Sequence, residues 1–340
     1  MYIYIYILKE FIRVSFYVFL NIYLIMIHFK LKNVSVKHKG LLAPMQEYTH
    51  LPFRLLCSEY KAGLTFSEMI SIHQILNFKE DLSKLDNLFS TDEEGKTAVQ
   101  LFGDFSDREK TLEAVHVLDE YKYFDIIDLN FGCPSLKIIN SKGGSFNLTQ
   151  IDKVIPVIEE LVSTTVKPIT IKTRLGFSKN EIDFISSSLF KTGIAGLSIH
   201  GRLASENYSN PSNVMAVRKI KEISPIPIIY NGDVTKNNFE QYLDFDGVMV
   251  GRESLGNPFI FKQIDSFVND KVILEKENNN DAVLRFLDLV KKHPISFAKF
   301  KTSLIHFFKD KAGSSKIREK ISISKNLDGI TEILNKLVNQ

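Results

Sequence analysis

A cysteine held in a rigid turn is the first group in this sequence placed to do chemistry. Cys133 lies in Leu129-Asn130-Phe131-Gly132-Cys133-Pro134-Ser135, directly after the apolar run Phe124 to Ile127 and the acidic Asp128. Gly132 lets the backbone turn, and Pro134 stops a helix from starting early. Asn130 brings an amide that both donates and accepts. A thiol at the exit of a buried strand, held by such a turn, is positioned for catalysis. The bland alternative is a small buried hydrophobe, the commoner fate of cysteines in general. The second cysteine, Cys57, lies in an expected helix after the first strand and reads as core.

Other groups point to an anion. Lys172 interrupts an otherwise apolar strand, and a buried lysine needs an anionic partner. Asn231-Gly232-Asp233 and Gly251-Arg252 place glycines, whose backbone N–H groups can face an anion, beside an arginine able to grip phosphate oxygens in a fork. An aspartate next to phosphate is unfavourable unless it accepts from a sugar hydroxyl, so Asp233 suits a ribityl chain. Together these residues suggest a bound mononucleotide with an extended polyol. That is FMN more readily than NAD, and the negative charge of a reduced flavin would answer Lys172.

The elements that must position these groups recur regularly. Eight short apolar runs alternate with amphipathic stretches of helical length: Gly40–Met45, Leu64–Met69, Thr97–Phe102, Asp125–Asn130, Pro168–Arg174, Gly196–Gly201, Ile226–Gly232 and Gly247–Arg252. Continuous hydrophobicity suits parallel strands covered on both faces. The pattern predicts an α/β fold, a (β/α)8 TIM barrel. An open doubly wound sheet is the runner-up, but no Gly-x-Gly-x-x-Gly follows the first strand. Barrels place function at the C-terminal ends of strands, with phosphate often after the last two. All eight ends here carry polar groups: Met45-Gln46, Glu68, Gln100, Asn130 with Cys133, Lys172 with Arg174, His200 with Arg202, Asn231 with Asp233, and Gly251-Arg252.

Composition fits this frame. The 340 residues allow one large domain and an appendage, and 44% hydrophobic with 24% charged residues is the balance of a soluble globular protein. Two cysteines exclude a disulfide framework and fit a reducing, cytoplasmic setting. Residues 1–33 form an apolar extension with three readings: a membrane anchor that Arg13 and Lys30 leave a little short, a secretory signal without a small-residue cleavage site, and an overextended reading frame starting truly at Met26. The third is preferred, and membrane contact is expected only if the extension is real. The barrel is expected over 34–270 and a small C-terminal helical domain over 281–340, with Glu277–Asn280 as the linker. From Lys291 to Lys320 nine Lys/Arg face two acids, and Phe297, Phe300, Phe307 and Phe308 supply apolar surface for a bundle. Lys299, Lys301, His306, Lys311 and Arg318 are candidates to track an RNA backbone.

Eight blocks in order carry a family resemblance: Ala43–Arg54, Ser67–Met69, Val99–Gly103, Asp128–Lys137, Ile171–Gly176, His200–Arg202, Asn231–Val234 and Gly247–Arg252. Over about residues 40 to 260 the chain resembles the tRNA-dihydrouridine synthases of bacterial type, and the basic helical tail follows as in that family. The resemblance implies FMN-dependent reduction of uridine in tRNA at the C5=C6 bond, with NADPH as reductant, no metal, and a monomer. It implies that Pro44, Met45 and Gln46 line the flavin ring, that Gln100 bonds its pyrimidine edge, and that Lys172 and His200 complete the pocket. Asn231, Gly232, Asp233, Gly251 and Arg252 would hold the ribityl phosphate. Hydride would pass from flavin N5 to uracil C6, and Cys133 would protonate C5. Asn130 would contact or orient the uracil; Lys137, Arg174 and Arg202 would be further substrate contacts, with Lys299, Lys301 and Arg318 on the tRNA. Glu47, His50, Phe146, Leu203 and Tyr230 depart from the family pattern and bear on which uridine is modified. Two other functions use the same features differently: an FMN dehydrogenase of free pyrimidines, which needs no basic tail, and an inactive tRNA-binding protein, which needs no flavin site.

Overall fold

The computed structural model describes residues 28–81, 84, 94–275, 279–309 and 314–338. The three readings of the N-terminal stretch concern residues that, up to 27, lie outside the described ones, as do residues 277 and 278 of the expected linker and Lys311.

Each of the eight expected runs coincides with a strand, with β4 and β6 running past their expected ends: β3 (Gly40–Leu42), β4 (Thr65–Ser71), β5 (Thr97–Phe102), β6 (Ile126–Phe131), β7 (Ile169–Arg174), β8 (Gly196–His200), β9 (Ile228–Asn231) and β10 (Gly247–Val250). They pair in parallel in the order β3-β10-β9-β8-β7-β6-β5-β4. A bridge between Leu41 and Leu64 joins the two ends, so the sheet closes into a barrel. Helices lie between successive strands, as right-handed parallel crossovers require.

Side chains alternate across each strand. In β6, Ile127, Leu129 and Phe131 pack outward against the helices in one large core. Ile126 points into the barrel, where it joins Ala98, Ile229 and Met249 in a second, inner core. The inner positions nearer the C-terminal end turn polar: Gln100, Asp128, Asn130, Thr170, Lys172, Ser198, His200 and Asn231. The barrel is thus dry at its base and polar at its mouth.

The base is closed by a hairpin of β1 (Phe29–Leu31) and β2 (Val34–Val36), paired antiparallel. Phe29, Leu31, Val34 and Val36 belong to the inner core. The expected boundary at residue 33 is therefore wrong: it cuts this hairpin at its turn, and residues 29–36 plug the barrel. The linker needs correction as well, because Asn279 already opens the helix Asn279–Lys292. That helix and Phe297–His306, Ser314–Ile323 and Leu327–Val338 are the helices of the tail among the described residues.

The tail shares a core with the barrel. Phe286 stacks on Phe307 with ring centroids 5.5 Å apart and meets Phe53, on the helix Leu51–Glu59, edge-on at 6.4 Å. Burying each such ring contributes about 1.5–3 kcal/mol. His50 stacks on Phe286 at 5.9 Å, and its Nε2 lies 3.0 Å from the Ser303 hydroxyl. Burial and the nearby Arg54 and Lys299 charges push its imidazole down to about 3, so it is neutral. Among the described residues no helix is long and apolar enough to cross a membrane, and no group of three or more His, Cys, Asp or Glu could hold a metal ion.

Candidate active site

A cavity of about 590 Å³ opens at the C-terminal end of the barrel. That lies within the roughly 300–1,000 Å³ of small-molecule and cofactor sites. Pro44, Met45, Gln46, Gln100, Lys172 and His200 line it, with Asn231, Gly232, Asp233, Gly251 and Arg252 on the β9–β10 side. Asn130, Cys133 and Arg174 complete the wall. With Met69 from β4, residues from all eight strand ends converge on one space.

The cysteine turn is fixed from two directions. Asn130 Oδ1 accepts the backbone N–H groups of Gly132 at 3.0 Å and Cys133 at 2.9 Å. The Cys133 carbonyl accepts both the backbone N–H and the hydroxyl of Ser145, each at 3.0 Å. Gly144, in a left-handed conformation at φ 59°, packs so closely that a Cβ would sit 2.7 Å from that carbonyl oxygen. Burial pushes the Cys133 thiol up from its ordinary value, against the Ser135 backbone amide and the Arg174 and Lys172 charges. At neutral pH it holds its proton.

Opposite signs govern the rest of the wall. Burial, and then the neighbouring Arg174, bring Lys172 down to about 8. Among the described residues its ammonium has no hydrogen bond or ion pair. A part-buried ammonium facing a cavity without a partner is what a ligand anion would complete. His200 is neutral, lowered to about 2 by burial and then by Lys172 and three arginines. Arg202 Nη1 lies 3.0 Å from its Nε2 and can only donate, so the imidazole proton belongs on Nδ1. Gly232, at φ 131°, leaves room that a Cβ would take from the Ser212 hydroxyl at 2.3 Å. These features fit an anionic, phosphate-bearing cofactor such as FMN.

Several expected contacts lie elsewhere. Arg202 is fully buried beneath the cavity, where it bonds the Asn210 and Tyr208 carbonyls and pairs with Asp233 at 2.5 Å. It holds Asp233 and His200 and does not face the cavity, so its reading as a substrate contact is corrected. Lys299 pairs with Glu68 at 2.7 Å and Lys301 donates to the Ser322 and Ser324 carbonyls. Both are engaged within the protein, the first joining tail to barrel and the second closing the end of Ser314–Ile323. Lys137 is exposed on the helix Leu136–Asn140, and Arg318 is part-buried on Ser314–Ile323; neither lines the cavity. Arg174 lines it while donating to the Gly132 and Leu203 carbonyls at 2.9 and 2.7 Å.

Tyr48, Tyr208 and Lys309 also line the cavity and were not foreseen. Tyr208 is 55% exposed, with Arg252, Arg202 and Arg174 at 4.4, 5.7 and 5.9 Å from its ring. An aromatic in the long loop after β8 was the available signal. Lys309 comes from the tail, and only the docked position of Phe297–His306 brings it to the mouth. His306 marks that dock by meeting Tyr48 edge-on at 5.3 Å.

The chain matches the family model described as dihydrouridine synthase over residues 41–332. It is 35% identical over 257 residues to tRNA-dihydrouridine synthase B of Pasteurella multocida, which spans 74% of this chain and 76% of that protein. It is 32% identical over 246 residues to tRNA-dihydrouridine synthase B of Escherichia coli, 71% of this chain and 75% of that one. Among solved structures, a morphinone reductase mutant in complex with tetrahydroNAD shares the fold, with a TM-score of 0.50 at 14% identity, over 75% of this chain and 92% of that one.

Proposed function

We infer the function from one premise: this chain belongs to the dihydrouridine synthase family. We propose that it is a cytoplasmic, monomeric enzyme that reduces uridines of tRNA to 5,6-dihydrouridine, with FMN as resident cofactor and NADPH as reductant. The observation that carries this reading is the presence in one cavity of the Cys133 thiol, which burial keeps protonated, and the Lys172 ammonium, which has no hydrogen bond or ion pair among the described residues.

FMN in this cavity would supply the hydride that adds to C6 of the uracil. Pro44, Met45, Gln46 and Gln100 would hold its ring, Lys172 and His200 its anionic edge, and Asn231, Gly232, Asp233, Gly251 and Arg252 its ribityl phosphate. Asp233 already accepts from Arg202 at 2.5 Å and from the Ser212 N–H at 3.0 Å, so its carboxylate is pre-set toward that end. Cys133 holds a proton on Sγ and delivers it to C5, and the Asn130 turn sets the direction of delivery. Arg174, anchored on the Gly132 carbonyl, steadies the same turn from the opposite side. The tail supports a macromolecular substrate over a free pyrimidine, since Lys309 extends positive charge to the cavity mouth. The target base would leave its stack to enter, at a cost of a few kcal/mol.

The test is dihydrouridine formation in an unmodified tRNA transcript, read by nucleoside mass spectrometry with FMN and NADPH present. The wild type should form it. Cys133→Ala should keep its flavin and its tRNA affinity yet turn over about 10²–10⁴-fold more slowly. Unchanged turnover in that variant would refute the assignment of the proton donor.

A further inference from the structure

Asp128 is fully buried inside the barrel and belongs to none of the groups assigned so far. It sits on β6 in register with Gln100 on β5 and Thr170 on β7, so three polar side chains share one layer below the cavity floor. Its Oδ2 accepts from Gln100 Nε2 at 2.7 Å and its Oδ1 from the Thr170 hydroxyl at 2.7 Å. Gln100 Oε1 in turn accepts from Asn130 Nδ2 at 2.8 Å. Asn130 Oδ1 accepts the two backbone N–H groups of the cysteine turn.

The sense of this chain is forced at both ends. Backbone N–H groups can only donate, so Asn130 must turn its oxygen to them and its nitrogen to Gln100. Gln100 must then offer its oxygen to Asn130, which sends its nitrogen downward to a site that has to accept. An ionised carboxylate is acceptor-only and satisfies that demand. Burial raises the Asp128 carboxyl to about 6, against the pull of Gln100, Thr170 and Lys172, and it remains mainly ionised at neutral pH. An apolar residue at 128 would leave Gln100 Nε2 unpaired in the barrel, so Gln100, and through it the Asn130 amide, would no longer be held in place from below.

We propose that Asp128 is a positioning residue: it ends a two-amide relay, Asp128–Gln100–Asn130, that fixes the turn carrying Cys133 and the amide face Gln100 presents to the cavity. This assignment rests on the reading of Cys133 as proton donor and names a residue that sets that donor without touching substrate. It predicts that the relay works through its hydrogen-bond sense, which can be reversed. In a chain carrying both Asn130→Asp and Asp128→Asn, the carboxylate at the upper end still accepts both turn N–H groups. Gln100 then turns its nitrogen upward to that carboxylate, and the new amide at the lower end donates to the Gln100 oxygen.

The experiment uses the FMN-loaded full chain and measures flavin content, kcat, and KM for a tRNA transcript. Asp128→Leu should lower kcat by roughly 10- to 100-fold, the scale of a misplaced reacting group, with KM changed less than about threefold. Asn130→Asp, which is isosteric and opposes two acceptors, should lose kcat to a similar extent. Adding Asp128→Asn to it should recover at least about tenfold of that loss. A merely structural role gives no such recovery. An Asp128→Leu enzyme with wild-type kcat, or a double variant no faster than Asn130→Asp, overturns the relay. If Asp128→Leu does not fold, the isosteric pair decides alone. A wild type that forms no dihydrouridine refutes the functional reading and this assignment with it, whereas normal wild-type turnover beside an ineffective swap refutes the relay only.

Discussion

Replacing Lys172 with methionine should make the flavin-free protein more stable and the holoprotein poorer. The lysine is brought down from its ordinary 10.5 to about 8, by burial first and by Arg174 second. Below pH 8 both folded and unfolded chains carry the charge, and the fold bears the full penalty of housing it. Between pH 8 and 10.5 the unfolded chain keeps a proton that the folded chain has released, so the wild-type apoprotein gains stability relative to the variant as pH rises. At about 1.4 kcal/mol per pH unit the penalty at neutral pH is at most about 3.5 kcal/mol, and less to the extent that water reaches the ammonium. Methionine matches the length of the lysine stem and removes the charge. The apo variant should therefore be about 2–3 kcal/mol more stable at pH 7, a gain that shrinks toward zero by pH 10.5. Flavin affinity should move the other way, because a hydrogen bond to a charged group is worth about 1.5–3 kcal/mol, or roughly 10- to 100-fold in Kd. Urea denaturation of the apoproteins at pH 7 and pH 10, with fluorescence titration of FMN, reads both effects. A variant less stable than the wild type at pH 7, or one that binds FMN equally well, would refute the reasoning.

Two further predictions concern the tail. His50 is neutral in the fold, at about 3, so from pH 6.5 downward the unfolded chain takes up a proton that the folded chain refuses. Stability should fall by about 2 kcal/mol between pH 6.5 and 5 from this residue alone, and His50→Leu should flatten that part of the profile in urea melts; parallel profiles would contradict it. Lys309→Ala should raise KM for tRNA and reduce the slope of log affinity against log salt by about 0.7–0.9, and an unchanged slope would remove Lys309 from the RNA path.

The barrel was legible because its strands are apolar on both faces for most of their length and turn polar at one end. Gln100, Asn130, Lys172, His200 and Asn231 could be recognised as a mouth once eight such ends were counted, since each stands at an inward position of its strand. Asp128 was visible as an acid but not as a partner, because its role depends on Gln100 and Thr170 arriving in register from two other strands. The hairpin at 29–36 escaped notice for a local reason. Its strands have three residues each, and its turn at Lys32 and Asn33 lacks the Asn-Gly or Asp-Gly signal of a hairpin. It therefore read as the end of an apolar extension. The basic tail misled in the other direction. Charge counting cannot tell an exposed lysine from one that meets Glu68 on the barrel or the carbonyls ending a neighbouring helix. Lys299 and Lys301 took such partners, and Lys309 reached the mouth.

The central claim is that one cavity joins a flavin to a uridine of tRNA through Cys133. Its most direct test is the visible spectrum of the purified full chain supplied with FMN, recorded anaerobically as NADPH and then unmodified tRNA are added. The account predicts a yellow protein that NADPH bleaches and that unmodified tRNA reoxidises, with dihydrouridine appearing in step. A protein that takes up no flavin, or whose reduced flavin is indifferent to tRNA, would contradict it.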